Sequence, residues 1–209
     1  MTPDRVLVIA CGALAREIGA ITKGCGLDHI DLVCLPAILH NHPDRIPGAV
    51  RAAITTGRQT HGHIFVAYAD CGTGAALDRV LDEENIQRLP GPHCYAFYSG
   101  VEPFLAAGDA DMRSFFLTDF LARQFETLVI RPLGLDRHPE LRDAYFGQYE
   151  TLVYLAQTDD AGLDAAAIAA AARLGLRYER RFVGYGDLAV GLHSAASRNT
   201  NPRVSSIGA

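Results

Sequence analysis

"HIFVAYADCGTGAALDRVLDEEN", residues 63–85, decides the fold. The stretch "HIFVAYA" (63–69) is a buried apolar run of strand length. It stops at Asp70 and Cys71, turns on two glycines, and feeds a helix over "GAALDRVLDEEN" (74–85). Two earlier segments repeat the pattern. "RVLVIA" (5–10) is a β-branched and aliphatic run followed by "CGALAREIGAITKGCG", with helical spacing through Leu14, Ile18 and Ile21, and "HIDLVCLP" (29–36) precedes a short helix at "AVRAAITTG" (49–57). Alternation with short connections predicts an α/β fold. The expected form is one doubly wound, mostly parallel sheet with helices on both faces, because parallel neighbours need crossover helices.

Downstream, "NIQRLPGPHCYAFYSG" (85–100) reads as a weaker fourth strand. "SFFLTDFLARQFETL" (114–128) reads as an amphipathic helix with Phe115, Phe116, Phe120, Leu121 and Phe125 inward, and "TLVIRPLGL" as a short extended piece. "HPELRDAYFGQY" opens a helix near Pro139. "ETLVYLAQ" (150–157) is a strand, "GLDAAAIAAAARLG" a helix stopped by glycine, and "RYERRFVGYGDLAVGL" an edge strand and terminal turn. No linker interrupts residues 5–193, so one domain is expected there, with 194–209 as a disordered tail.

The 209 residues carry a formal net charge of -5 and no basic run, which argues against nucleic acid as a partner. No window approaches eighteen apolar residues, and the apolar stretch in "MTPDRVLVIACG" is too short for a signal sequence, so a cytoplasmic protein without membrane contact is expected. Five cysteines in a reducing compartment leave metal ligation, catalysis or burial as their roles.

The strand reading places Cys11 after the first strand, His40 and His42 after the second, Cys71 after the third, and His93 with Cys94 after the fourth. Carboxyl ends of parallel strands line the crevice where ligands bind. Cys11, His40, Cys71 and Cys94 form the expected ligand set, and zinc is the metal such donors suit. His40 is preferred to His42 as nearer the strand end. Cys94 is preferred to its neighbour His93, which joins Asp70 as a candidate catalytic group; Cys25 and Cys34 read as packing residues. Asp70 either orients a ligand or caps the following helix. Gly72, Thr73 and Gly74 offer a turn with backbone amides suited to an anionic group of a small-molecule substrate or cofactor. A rival chemistry makes Cys71 a nucleophile at a strand-to-helix turn, with His93 or His40 as base. Tyr95, Tyr98, Glu102 and Asp119 are further polar candidates, Asp119 reading more simply as a helix-surface acid. His138 is left out.

The blocks "ACGAL", "LPAILHNHPDRI", "DCGTG", "GPHCY", "FFLTDFLARQF", "LGLDRHPELRDAYFGQY" and "VYLAQTDD" occur in order. Together they resemble the domain of unknown function 1638 family over residues 5 to about 192. Members of that family are often encoded beside corrinoid-dependent methyltransferases. The resemblance therefore implies corrinoid-linked one-carbon transfer, with a corrinoid protein or methyltransferase as partner. If the protein is an enzyme, it implies zinc-dependent methyl transfer involving a thiol or corrinoid. Its alternative is an accessory protein whose structural metal supports a surface for a corrinoid protein.

Overall fold

β1 (Val6–Cys11) is a strand because six consecutive apolar residues can be buried on both faces only inside a covered parallel sheet, and all six are buried. In the computed structural model, which describes residues 5–108 and 111–198, the chain divides into two compact units, residues 5–93 with 188–198 and residues 94–187. Each has its own parallel sheet, so the α/β class and the parallel pairing are as expected, while the strands are shared between two sheets instead of one.

The first unit runs β1, α1 (Ala15–Gly24), β2 (Ile30–Leu35), α2 (Ile46–Gly57), β3 (His63–Ala67), α3 (Ala76–Glu84) and β4 (Gln87–Arg88). Its strand order is β2-β1-β3-β4, with Val6 level with Ile30 on one side and His63 on the other. The chain moves outward from β1 to β2 and then returns to the opposite side of β1 for β3. That reversal makes the carboxyl ends of β1 and β3 a topological switch point, where parallel sheets open a crevice. The fourth strand is shorter than its sequence suggests, because Pro90 and Pro92 bracket a bend after Arg88 and cannot donate to a ladder.

The second unit begins with two short helices, α4 (Ala96–Ser99) and α5 (Val101–Ala107). It continues through β5 (Ser114–Thr118), α6 (Asp119–Arg123), α7 (Arg142–Phe146), β6 (Thr151–Ala156), α8 (Ala161–Leu174) and β7 (Arg177–Phe182), with sheet order β5-β6-β7. Its core gathers Leu117, Ile130, Phe146, Leu152 and Tyr154 against the alanine-rich face of α8. Here the sequence reading needs correction. The expected helix over 114–128 is a strand followed directly by a helix, and the expected extended piece holds a π-helical turn at Glu126–Ile130. Of the expected inward stripe, Phe125 is buried, whereas Phe115, Phe116, Phe120 and Leu121 are half-buried.

The last helix, α9 (Gly186–Arg198), continues past Ser194. Residues 199–209 of the expected tail lie outside the described residues. No helix among the described residues is long and apolar enough to cross a membrane.

Candidate functional site

Three segments of the first unit meet at the switch point. Cys11 is the last residue of β1 and only 1% exposed. Gly12 follows it because a Cβ there would sit 3.0 Å from the Leu35 carbonyl and 3.3 Å from the Ala37 amide nitrogen. That close approach seats the start of the Ala37–Asn41 3-10 turn, which carries His40, against the end of β1. Pro43 then lies against Gly72, whose Cβ would meet the proline ring at 3.5 Å, so the same segment also touches the turn carrying Cys71.

Cys71 occupies an unusual backbone position. Its φ is 48° and that of Ala75 is 64°, both left-handed, with Gly72 and Gly74 also at positive φ between them. For a residue bearing a Cβ this conformation costs about 1–2 kcal/mol, so the turn needs external support. Asp70 supplies it. Its carboxylate accepts from the Gly72 amide (3.2 Å), the Thr73 hydroxyl (2.8 Å) and the Ala75 amide (3.1 Å). Desolvation works against ionisation of Asp70, but the Thr73 hydroxyl and the amides of Ala75, Gly74 and Gly72 together outweigh it and hold the carboxyl below its usual pKa. The first turn of α3 has Ala75, not Asp70, at its cap. From the other side, the Asp70 and Cys71 amides donate to the carbonyls of Gly91 (3.0 Å) and Pro92 (2.9 Å), which brings the segment ending at His93 alongside.

The electrostatics tie these groups together. The His40 imidazole shares a hydrogen bond with the Cys11 thiol, and this bond raises its pKa above the ordinary histidine value. Loss of water around the ring opposes the rise; negative charge on Cys71 and Cys11 adds to it. His93 moves the other way. Burial lowers its pKa, positive charge on His40 lowers it further, and Asp70 opposes both. Cys11, His40, Cys71, His93 and Asp70 therefore form one electrostatic cluster within a single unit, with His40 on its exposed side and both thiols buried.

Among the described residues, no group of three or more His, Cys, Asp or Glu side chains is arranged as a ready-made metal cage. Cys94 is buried in the second unit, where its carbonyl accepts from the Phe97 amide. The Gly72, Gly74 and Ala75 amides turn toward Asp70. His42 stands at the cap of the Pro43–Arg45 turn, and its side chain makes no capping hydrogen bond there. Cys25 and Cys34, expected as packing residues, are exposed: Cys25 follows the end of α1, and Cys34 lies on β2, an edge strand only partly covered.

Sequence reasoning underrated Asp119. It is not a surface acid but 1% exposed, and its carboxylate accepts from Tyr154, from the Gln157 amide and from both the amide and hydroxyl of Thr158. A carboxylate placed on an otherwise apolar stretch was the available signal. Its lone pairs are filled by its own unit, so it acts as a structural tie between the ends of β5 and β6. A cavity of about 290 Å³ in the same unit is bordered by Arg142 and Arg173. Their guanidinium groups are engaged, Arg142 with the Leu174 carbonyl and Arg173 with Glu126.

No curated protein and no solved structure matches the chain. A family model described as "protein of unknown function (DUF1638)" matches residues 34–191, a span that takes in His40, the Asp70–Ala75 turn and His93. The chain belongs to the DUF1638 family of proteins of unknown function.

Proposed function

We propose that the first unit binds a thiophilic metal ion, zinc first, through Cys11, His40 and Cys71, and that the site serves corrinoid-linked methyl transfer. One observation carries the reading: Gly12 lets the turn bearing His40 seat against the end of β1 beside the buried Cys11, and Pro43 just after that turn packs on Gly72, next to the buried Cys71. The Cys11 thiol and the His40 imidazole are joined by a hydrogen bond. Were zinc to bind, Cys11, Cys71 and His40 would hold it, and the thiol protons would be released to solvent. Two thiolates and an imidazole suit a borderline-soft ion, and three protein donors leave a fourth position for a substrate thiol. Zinc stabilises such a thiol as the thiolate near neutral pH. The corrinoid context rests on the family resemblance.

Elemental analysis of protein purified without added metal tests the site. About one zinc per chain is expected, and it is lost in Cys11→Ser, His40→Ala and Cys71→Ser. A wild-type chain that takes up no zinc from a micromolar solution overturns the reading. For the transfer role, mixing the zinc-loaded protein with methylcobalamin and a panel of thiols is expected to produce the spectral change of demethylation. An unchanged spectrum across the panel argues against it.

A second reading is favoured by the backbone of Cys71. A cysteine at φ 48° between a strand and a helix, with a histidine-bearing segment packed on its turn, resembles a nucleophile held on a strained turn. In that case the protein contains no metal, and a stoichiometric thiol reagent modifies Cys71 faster with His40 present than in His40→Ala.

A further inference from the structure

We infer that Asp70 is the positioning residue of this site: its carboxylate holds residues 71–75 in the left-handed turn that presents the Cys71 thiol beside His40. The inference rests on the reading of Cys71 as a working thiol, whether toward metal or substrate. Four of the five residues from 71 to 75 have positive φ, yet only two of them are glycine. A sequence that needed only a loop here would have no reason to leave Cys71 and Ala75 in a conformation disfavoured by their Cβ atoms. The turn is held against this strain by three hydrogen bonds that converge on the Asp70 carboxylate.

The two carboxylate oxygens divide the work. Oδ1 accepts from the Thr73 hydroxyl and the Ala75 amide, and Oδ2 from the Gly72 amide. The Asp70 carbonyl also accepts from the Thr73 amide at 3.0 Å. The carboxylate is itself fixed, because the amides of Asp70 and Cys71 are pinned to Gly91 and Pro92. Asp70 thus points into its own turn instead of toward a substrate, and it acts on the chemistry through Cys71.

The experiment compares wild type, Asp70→Asn, Asp70→Ala and the double variant Asp70→Ala with Ala75→Gly. Iodoacetamide labelling of Cys71 is followed by peptide mass spectrometry, and zinc affinity by competition with a chromogenic chelator. Cys71 is only 4% exposed. Releasing the turn in Asp70→Ala is expected to raise its labelling rate at least tenfold and to weaken zinc binding roughly 10- to 100-fold, the range for residues that orient a ligand. Asp70→Asn keeps the Oδ1 acceptor and should fall between. Glycine at position 75 removes part of the penalty of the left-handed turn and should restore part of both properties, while labelling of the buried Cys11 stays at the wild-type rate throughout, which a merely destabilised fold would not show.

Labelling and zinc affinity within twofold of wild type in Asp70→Ala would overturn the inference. So would a double variant no better than Asp70→Ala. Should Asp70→Ala fail to fold, Thr73→Val removes one of the three bonds and is expected to move both readouts in the same direction; unchanged values there overturn the inference. A wild-type chain that binds no zinc defeats the metal reading alone, since the labelling series still decides the role of Asp70.

Discussion

Asp119 shows how much one side chain can hold. Truncating it to alanine strands the Tyr154 hydroxyl, the Thr158 hydroxyl and the amides of Gln157 and Thr158 inside the second unit. Burial, then the Asp119 hydrogen bond, keeps the Tyr154 phenol far above its usual pKa, so it remains a neutral donor at every working pH. Asp119→Ala is expected to lower stability by about 3–4 kcal/mol in urea unfolding, since each stranded buried donor costs about 1–3 kcal/mol and the site relaxes in part. Asp31 offers a contrast in titration. Its carboxyl is held well below the ordinary carboxylate range by the hydrogen bond from Arg5, then by that from His61. A depressed folded-state pKa contributes stability that is present above the unfolded value, near 3.9, and is lost as pH falls toward the folded one. Melting temperature measured from pH 6 down to pH 3 should therefore drop less steeply in Asp31→Asn than in wild type. The effect should be small and weaker in high salt, because both partners are partly exposed.

At the scale of elements, what could be read from the sequence depended on whether a strand and its helix were separated by turn residues. β1, β6 and α8 were legible: the β1 run ends at Gly12, the β6 run ends at the polar stretch from Gln157, and the alanine-rich block lies between Asp160 and Gly175. β5 was not. Thr118 is both the last residue of the strand and the cap of α6, its hydroxyl accepting from the Leu121 amide, so no glycine or proline marks the join. A period-2 strand running into a period-3.6 helix then imitates one long aromatic helix. Where the cap is separate it can be tested. The Asp160 carboxylate accepts from the amides of Gly162 (2.8 Å) and Leu163 (3.1 Å) at the start of α8. Asp160→Ala is expected to cost about 1 kcal/mol and to lower the melting temperature by about 2–4 °C in calorimetry.

Across the whole molecule, the strand-end positions of Cys11 and Cys71 were legible because apolar runs stop there and parallel topology sends such ends to one rim. The division of strands into two sheets was not legible, because both sheets are built from the same strand-helix pattern and no linker composition separates them. Asp70 was singled out in the sequence, but the left-handed turn it holds was hidden for a different reason: positive φ at Cys71 and Ala75 has no residue signature, since neither is glycine. The proposed donors all belong to the first unit, which makes a regional prediction. Zinc should slow amide hydrogen exchange within residues 5–93 and leave the α8 amides unchanged; slowing confined to residues 94–187 would contradict the placement of the site.

From Leu188 onward α9 belongs to the first unit although it follows the whole of the second in sequence. Leu188, Leu192 and Ala196 are buried, and Gly191 lies so near Leu89 that a Cβ would come within 2.1 Å of its Cδ2 atom. During synthesis the ribosome must release nearly a hundred residues of intervening chain before this helix can cover its place. A nascent polypeptide stalled before residue 188 therefore exposes an unfinished apolar face on the unit that bears Cys11 and Cys71, and a chaperone has reason to hold it until this helix has emerged.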